Sequence, residues 1–153
     1  MKALIVYSSF HHFNTKKVAE RISAALDGKL IKDVDFDNGM IGDYDLIGFG
    51  SGIYAGKYHK NMRNIIENAD LKGKNVFVFS TRGGGNTNCN DPAIKSLKEK
   101  GANVLGEFSC TGYDTFFIFK LWGGFAKGHP DEEDLKNAEK FAHTISDKFN
   151  NIN

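Results

Sequence analysis

The chain has 153 residues, with 20 Lys plus Arg against 19 Asp plus Glu. That length suits one domain over residues 1–153 with a single core, and a net charge of +1 gives no push towards nucleic acid. A composition of 41% hydrophobic and 25% charged residues, with two prolines, excludes disorder, collagen and a Pro-rich linker. Cys89 and Cys110 are too few for a disulfide scaffold or a zinc site. They read as free thiols in a reducing cytoplasm. The 17 glycines exceed the usual ~7% and cluster at 48–56, 83–85 and 123–124, which suggests loops shaped for close approach to a ligand.

Residues 3–7 form an apolar run, too short for a signal peptide or a membrane span. They read as a first strand. The run ends in Ser8-Ser9-Phe10-His11-His12-Phe13-Asn14-Thr15-Lys16, after which Val18, Ala19, Ile22, Ala25 and Leu26 make a helical stripe closed by Gly28. A loop rich in hydroxyl, imidazole and amide groups at a helix N-terminus is an anion site, because free N–H groups and the helix dipole both favour phosphate. It is not a Walker loop and not a dinucleotide loop, since it lacks the glycines both require. It also lacks the Cys and Arg of a low-molecular-weight phosphatase and the acidic pair of a receiver domain. The adjacent His11 and His12 splay apart, and no nearby carboxylate completes a metal set, so no metal is expected.

A weaker strand covers 30–34, and the link 34–44 is too short and broken for a helix. Residues 46–49 form the next strand. Met62, Ile65, Ile66 and Ala69 form a second helical stripe, and 76–79 a further strand. Asp91-Pro92 opens a third helix through Ile94 and Leu97, stopped by Gly101. Residues 104–108 form the fifth strand. The last helix has an acidic first turn, Asp131-Glu132-Glu133-Asp134, and continues through Leu135, Ala138, Phe141, Ala142, Ile145 and Phe149.

The strands are apolar on successive positions, as strands buried on both faces are. Alternation of strand and helix predicts a doubly wound α/β sheet with helices on both faces. Ligands of such sheets bind beyond the C-terminal strand edges. The loops 8–15, 51–59, 80–90 and 110–130 all lie there.

The first loop resembles the phosphate loop of flavodoxins, a Ser/Thr run ending in Asn-Thr at the helix start. Leu46-Ile47-Gly48-Phe49-Gly50-Ser51-Gly52-Ile53-Tyr54 is similar to that family's third strand and first flavin loop. Residues 76–85 are similar to its fourth strand and second flavin loop, and His129-Pro130-Asp131-Glu132 to the entry of its final helix. The resemblance implies a five-stranded parallel sheet in the order 2-1-3-4-5 and bound FMN. It implies that Ser8, Ser9, His11, His12, Asn14 and Thr15 surround the 5′-phosphate. Ser51, Gly52, Ile53, Tyr54, Ala55 and Gly56 would flank one side of the flavin ring, with a backbone carbonyl between Tyr54 and Gly56 facing flavin N5–H in the one-electron-reduced state. Ser80, Thr81, Arg82, Gly83 and Gly84 would flank the other side. Phe13 stands where glycine is common in the family, and the second flavin loop has no aromatic residue. The extra segment 111–128 carries Trp122 and four phenylalanines. It either packs on the core, supplies the missing ring stacking as a lid through Trp122, or forms a patch that docks a partner or touches a membrane.

The expected function is FMN-based electron transfer between redox partners. The alternatives are an FMN-dependent reductase or oxidase acting on a small molecule, and an α/β module without a cofactor. Lys16, Lys57, Lys60, Arg82, Lys120 and Lys127 at the loop edge, against Asp91, Asp114 and Asp131, suit a partner with an acidic docking face or an anionic substrate.

Overall fold

The computed structural model describes residues 1–10, 12–84, 88–113 and 127–152. The chain runs β1 (Ala3–Ser8), α1 (Asn14–Leu26), β2 (Lys29–Lys32), two 3-10 turns (Asp33–Asp35 and Asn38–Asp43), β3 (Leu46–Tyr54), β4 (Lys57–Tyr58), α2 (Lys60–Asn68), β5 (Asn75–Arg82), α3 (Asp91–Glu99), β6 (Asn103–Thr111) and α4 (Glu132–Ile152). The sheet order is β2-β1-β3-β5-β6, and the two residues of β4 pair with β3 alone. All pairings along the main path are parallel, while β3–β4 is antiparallel. Counted without β4, this is the 2-1-3-4-5 order that the resemblance to flavodoxins implies.

The two faces of the sheet follow from strand alternation. Leu4, Val6, Ile47, Phe49, Val76 and Val78 point to one face, under Met62 and Ile66 of α2 and Ala93 and Leu97 of α3. Ala3, Ile5, Tyr7, Phe77 and Phe79 point to the other, under Val18 and Ile22 of α1 and Ala138, Ala142 and Ile145 of α4. β1 is buried from end to end and β3 and β5 in all but terminal residues, whereas the edge strands β2 and β6 are mostly half-buried or exposed.

Two expectations about glycine need correction. Gly48 and Gly50 do not shape a ligand loop. They lie inside β3, where an added Cβ would sit 2.3 Å from the Phe77 ring and 2.1 Å from the Phe79 ring. They exist so that β5 can lay two large rings across its neighbour. Gly28 does not take the left-handed cap of α1. Asp27 does, at φ 48°, while Gly28 is needed because a Cβ there would meet Ile5 Cδ1 at 2.5 Å. Gly101, in contrast, ends its helix at φ 76° as expected. No helix among the described residues is long and apolar enough to cross a membrane.

Candidate functional site

The C-terminal ends of β1, β3 and β5 stand side by side, with Ser8 paired to Ser51 and Ser51 to Ser80 in register. Their loops therefore open onto one edge. The helix that leaves β1 starts without a side-chain cap, because its N-cap is Phe13. His12 and Phe13 both hold left-handed backbone, at φ 53° and 55°. Each costs about 1–2 kcal/mol for a residue with a Cβ, so the loop shape is imposed by its surroundings.

Those surroundings pin both ends of the loop. Ser8 is fully buried and its Oγ donates to Asp33 Oδ2 at 2.6 Å. Asn14 Nδ2 donates to the Tyr113 carbonyl at 2.8 Å. The Thr15 and Thr81 hydroxyls share a hydrogen bond of 2.8 Å, joining this loop to the end of β5. Phe10 stacks on His59, with ring centroids 4.0 Å apart, and the exposed His12 lies against Tyr113 at 4.4 Å. His11 lies outside the described residues. Between the pins sits Ser9, 5% exposed, whose Oγ has no hydrogen-bond partner among the described residues. A buried hydroxyl left over beside an uncapped helix N-terminus fits a bound anion, which both would serve.

The second loop is shorter than the sequence suggests, because β3 continues through Tyr54. Ser51 is buried in the strand, where its Oγ donates to the Gly52 carbonyl at 2.7 Å and accepts from His59 N at 2.9 Å. Ile53 and Tyr54 are half-buried, and the Tyr54 ring covers Gly52, its hydroxyl 3.0 Å from where a Cβ would stand. Tyr54 pairs with Lys57 across Ala55 and Gly56, both at positive φ. Two such residues make the primed turn that suits a tight hairpin. The turn is exposed, so its peptide groups are available to a ligand.

The third segment likewise begins as strand. Ser80 is buried and donates to Ser109 Oγ at 3.1 Å, with Cys89 Sγ at 3.3 Å. Thr81 is committed to Thr15. Arg82 and Gly83 are half-buried and Gly84 is exposed. Trp122, and with it the expected lid, lies outside the described residues.

Asp33 and the Tyr58–Asn90 pair escaped the sequence reading. Asp33 is 6% exposed and accepts from Ser8, from Asn61 Nδ2 at 3.1 Å and from Val34 N at 2.9 Å. Its place directly after a strand was the available signal, masked by the acids at 35 and 37. Tyr58 donates to Asn90 Oδ1 at 2.7 Å, and Asn90 Nδ2 donates to Glu107 Oε2 at 3.0 Å. Burial pushes the Tyr58 phenol well above its ordinary range. Burial, aided by Asp134, pushes the Cys110 thiol up to about 12, which makes it a poor nucleophile.

At the start of α4, Asp131 and Asp134 each accept the other's backbone N–H, at 2.9 and 3.0 Å. His129 Nδ1 lies 2.6 Å from Asp134 Oδ2. The ligand atoms of His129, Asp131 and Asp134 lie within 4.8 Å of one another, but the reciprocal bonds already account for the cluster as a helix cap. The hydrogen bond to Asp134 raises the His129 pKa above the ordinary 6.5. Histidine with a raised folded-state pKa stabilises the fold fully below its unfolded pKa, and loses that contribution as pH rises through the folded value. The melting temperature of the wild type should therefore exceed that of His129→Gln by more at pH 6 than at pH 8. A constant gap would show that the ion pair is not what joins these residues.

A family model described as "Flavodoxin domain" matches residues 4–112. The uncharacterized protein MJ0298 of Methanocaldococcus jannaschii is 44% identical over 154 residues, covering 95% of this chain and 98% of that protein. Among solved structures, a flavodoxin from the domain Archaea superposes with a TM-score of 0.76 at 19% identity, covering 98% of this chain and 99% of that one. Oxidised flavodoxin 1 from Bacillus cereus does so with a TM-score of 0.74 at 17% identity, covering 96% and 98%. The family of such a chain implies a flavin cofactor, and the anion-ready loop fits the phosphate end of one. With the family model running from the start of β1 to the end of β6, the chain belongs to the flavodoxin family.

Proposed function

We propose that this protein binds FMN and carries electrons between redox partners in the cytoplasm. One observation supports the reading above the others: the buried Ser9 hydroxyl, with no partner among the described residues, beside the uncapped start of α1. Bound FMN would supply one- and two-electron transfer, and the protein would tune it through charge, burial and hydrogen bonds. Ser9, the N–H groups at residues 12–15 and the Thr15 hydroxyl hold the phosphate in this reading. Asn14 acts indirectly, by fixing the helix start against Tyr113, and Ser8 and Ser51 act as anchors whose hydroxyls face inward. The exposed turn at Ala55 and Gly56 offers backbone to one edge of the ring, and Arg82, Gly83 and Gly84 flank the other. No side chain among these is arranged as a general acid or base, and the Cys110 thiol is held protonated. This favours the carrier over a substrate-converting oxidoreductase.

The partner in this proposal has an acidic docking face. Lys57 and Lys60 are exposed at and just after the hairpin turn, and Lys127 is exposed too. Lys16 contributes less, since it pairs with Glu20 at 3.6 Å. The test is to reconstitute the protein with FMN, reduce it stepwise, and follow reoxidation by an acidic redox protein as salt rises. Attraction gives a rate that falls as the Debye length shrinks from ~30 Å at 0.01 M to ~8 Å at 0.15 M, and Lys57→Glu flattens the slope. A rate that rises with salt reverses the sign of the docking charge. Failure to take up FMN removes the proposal altogether.

A further inference from the structure

We infer that Asp33 is a positioning residue for the anion site, and that its carboxylate locks the loop after β1 to the start of α2. The inference rests on the proposed phosphate site and concerns how that site keeps its shape.

The loop after β1 carries two non-glycine residues in left-handed backbone, His12 and Phe13. Such a shape persists only where anchors over-determine it. The far end has two anchors, Asn14 to the Tyr113 carbonyl and Thr15 to Thr81. The near end depends on Asp33. Its Oδ2 accepts from Ser8 Oγ at 2.6 Å and from Asn61 Nδ2 at 3.1 Å, while Oδ1 accepts from Val34 N at 2.9 Å. Asp33 is 6% exposed, and a buried carboxylate is tolerated only when its lone pairs are satisfied in this way.

The link reaches further through Asn61. Its backbone N–H donates to His59 Nδ1 at 3.2 Å. The His59 ring stacks on Phe10 of the first loop and meets Tyr54 of the hairpin edge-on, at 5.6 Å. His59 N donates to Ser51 Oγ. One carboxylate thus joins the phosphate loop, the first turn of α2 and the end of β3. Asp33 itself is walled off behind Ser8, so it shapes the site through others.

The prediction separates a positioning role from a merely structural one. Dissociation constants for FMN and for riboflavin are measured on the wild type, Asp33→Ala and Asn61→Ala by flavin fluorescence. Hydrogen exchange is measured on the same three proteins without flavin. Asp33→Ala should weaken FMN about tenfold or more and riboflavin less than about twofold, because it loosens groups that only the phosphate uses. Asn61→Ala, which cuts one of the three bonds and leaves Ser8 held, should fall between. Amides at residues 9–15 should exchange faster in Asp33→Ala while those of β3 and β5 keep their protection. Equal losses for FMN and riboflavin, or an unchanged FMN affinity, overturn the inference. Should the wild type bind neither flavin, the functional proposal fails, and exchange then decides the inference alone: faster exchange confined to 9–15 supports it, and an unchanged or global pattern overturns it. Should Asp33→Ala not fold, the Asn61→Ala affinity ratio and exchange pattern decide it by the same outcomes.

Discussion

FMN should bind this protein about 100-fold more tightly than riboflavin, and Ser9→Ala should remove about tenfold of that preference. The two flavins differ only in the phosphate. A dianion at the start of a 13-residue helix gains from the dipole and from N–H groups that Phe13 leaves uncapped. Two hydrogen bonds to a charged group, at about 1.5 kcal/mol each, correspond to about 100-fold. Ser9→Ala carries a second, opposite signature. Its Oγ is buried with no hydrogen-bond partner among the described residues, and an unsatisfied buried hydroxyl costs about 1–3 kcal/mol. The variant should therefore melt higher than the wild type without flavin while binding FMN less well. Titration by flavin fluorescence and thermal melts of the apoprotein measure both. Equal affinity for FMN and riboflavin would sink the phosphate assignment. A Ser9→Ala apoprotein that melts lower would show that the hydroxyl has a structural partner.

Gly50→Ala should destabilise the fold by about 3 kcal/mol, the upper part of the range for overpacking a buried site. The added methyl would lie 2.1 Å from two carbons of the Phe79 ring. That ring is fully buried between the sheet and the helices above it, so it has no free space to turn into. Phe79→Leu in the same chain should recover part of the loss, because the smaller side chain vacates the clashing volume; Phe79→Leu alone should be destabilising. Urea denaturation of the two single variants and the double variant tests this as a cycle. Additive losses would mean that the glycine is required for some other reason than the ring across from it.

The sheet was legible because its causes are local. Apolar runs at 3–7, 46–49 and 76–79 read as strands buried on both faces, and the stripes between them as helices that cover those faces. Right-handed crossovers then put helices on both faces, while the order of strands came from the resemblance to flavodoxins and was matched by the sheet. The placement of the polar loop after β1, at a sheet edge where α1 begins, was legible too. The roles of individual residues at that site did not follow. Ser8 and Ser51 are the same residue type as Ser9 in the same kind of position, yet of the three Ser9 alone has no hydrogen-bond partner among the described residues. Which hydroxyl turns inward depends on Asp33, 25 residues away in the chain, and on His59, which are brought near only by the packing of β1, β2 and α2. The glycines misled for a related reason. A glycine that admits a ligand and a glycine that admits a phenylalanine ring from the next strand are the same letter in sequence. The register of β3 against β5 sets Gly48 opposite Phe77 and Gly50 opposite Phe79 and decides between the two readings, and register is a property of the folded sheet.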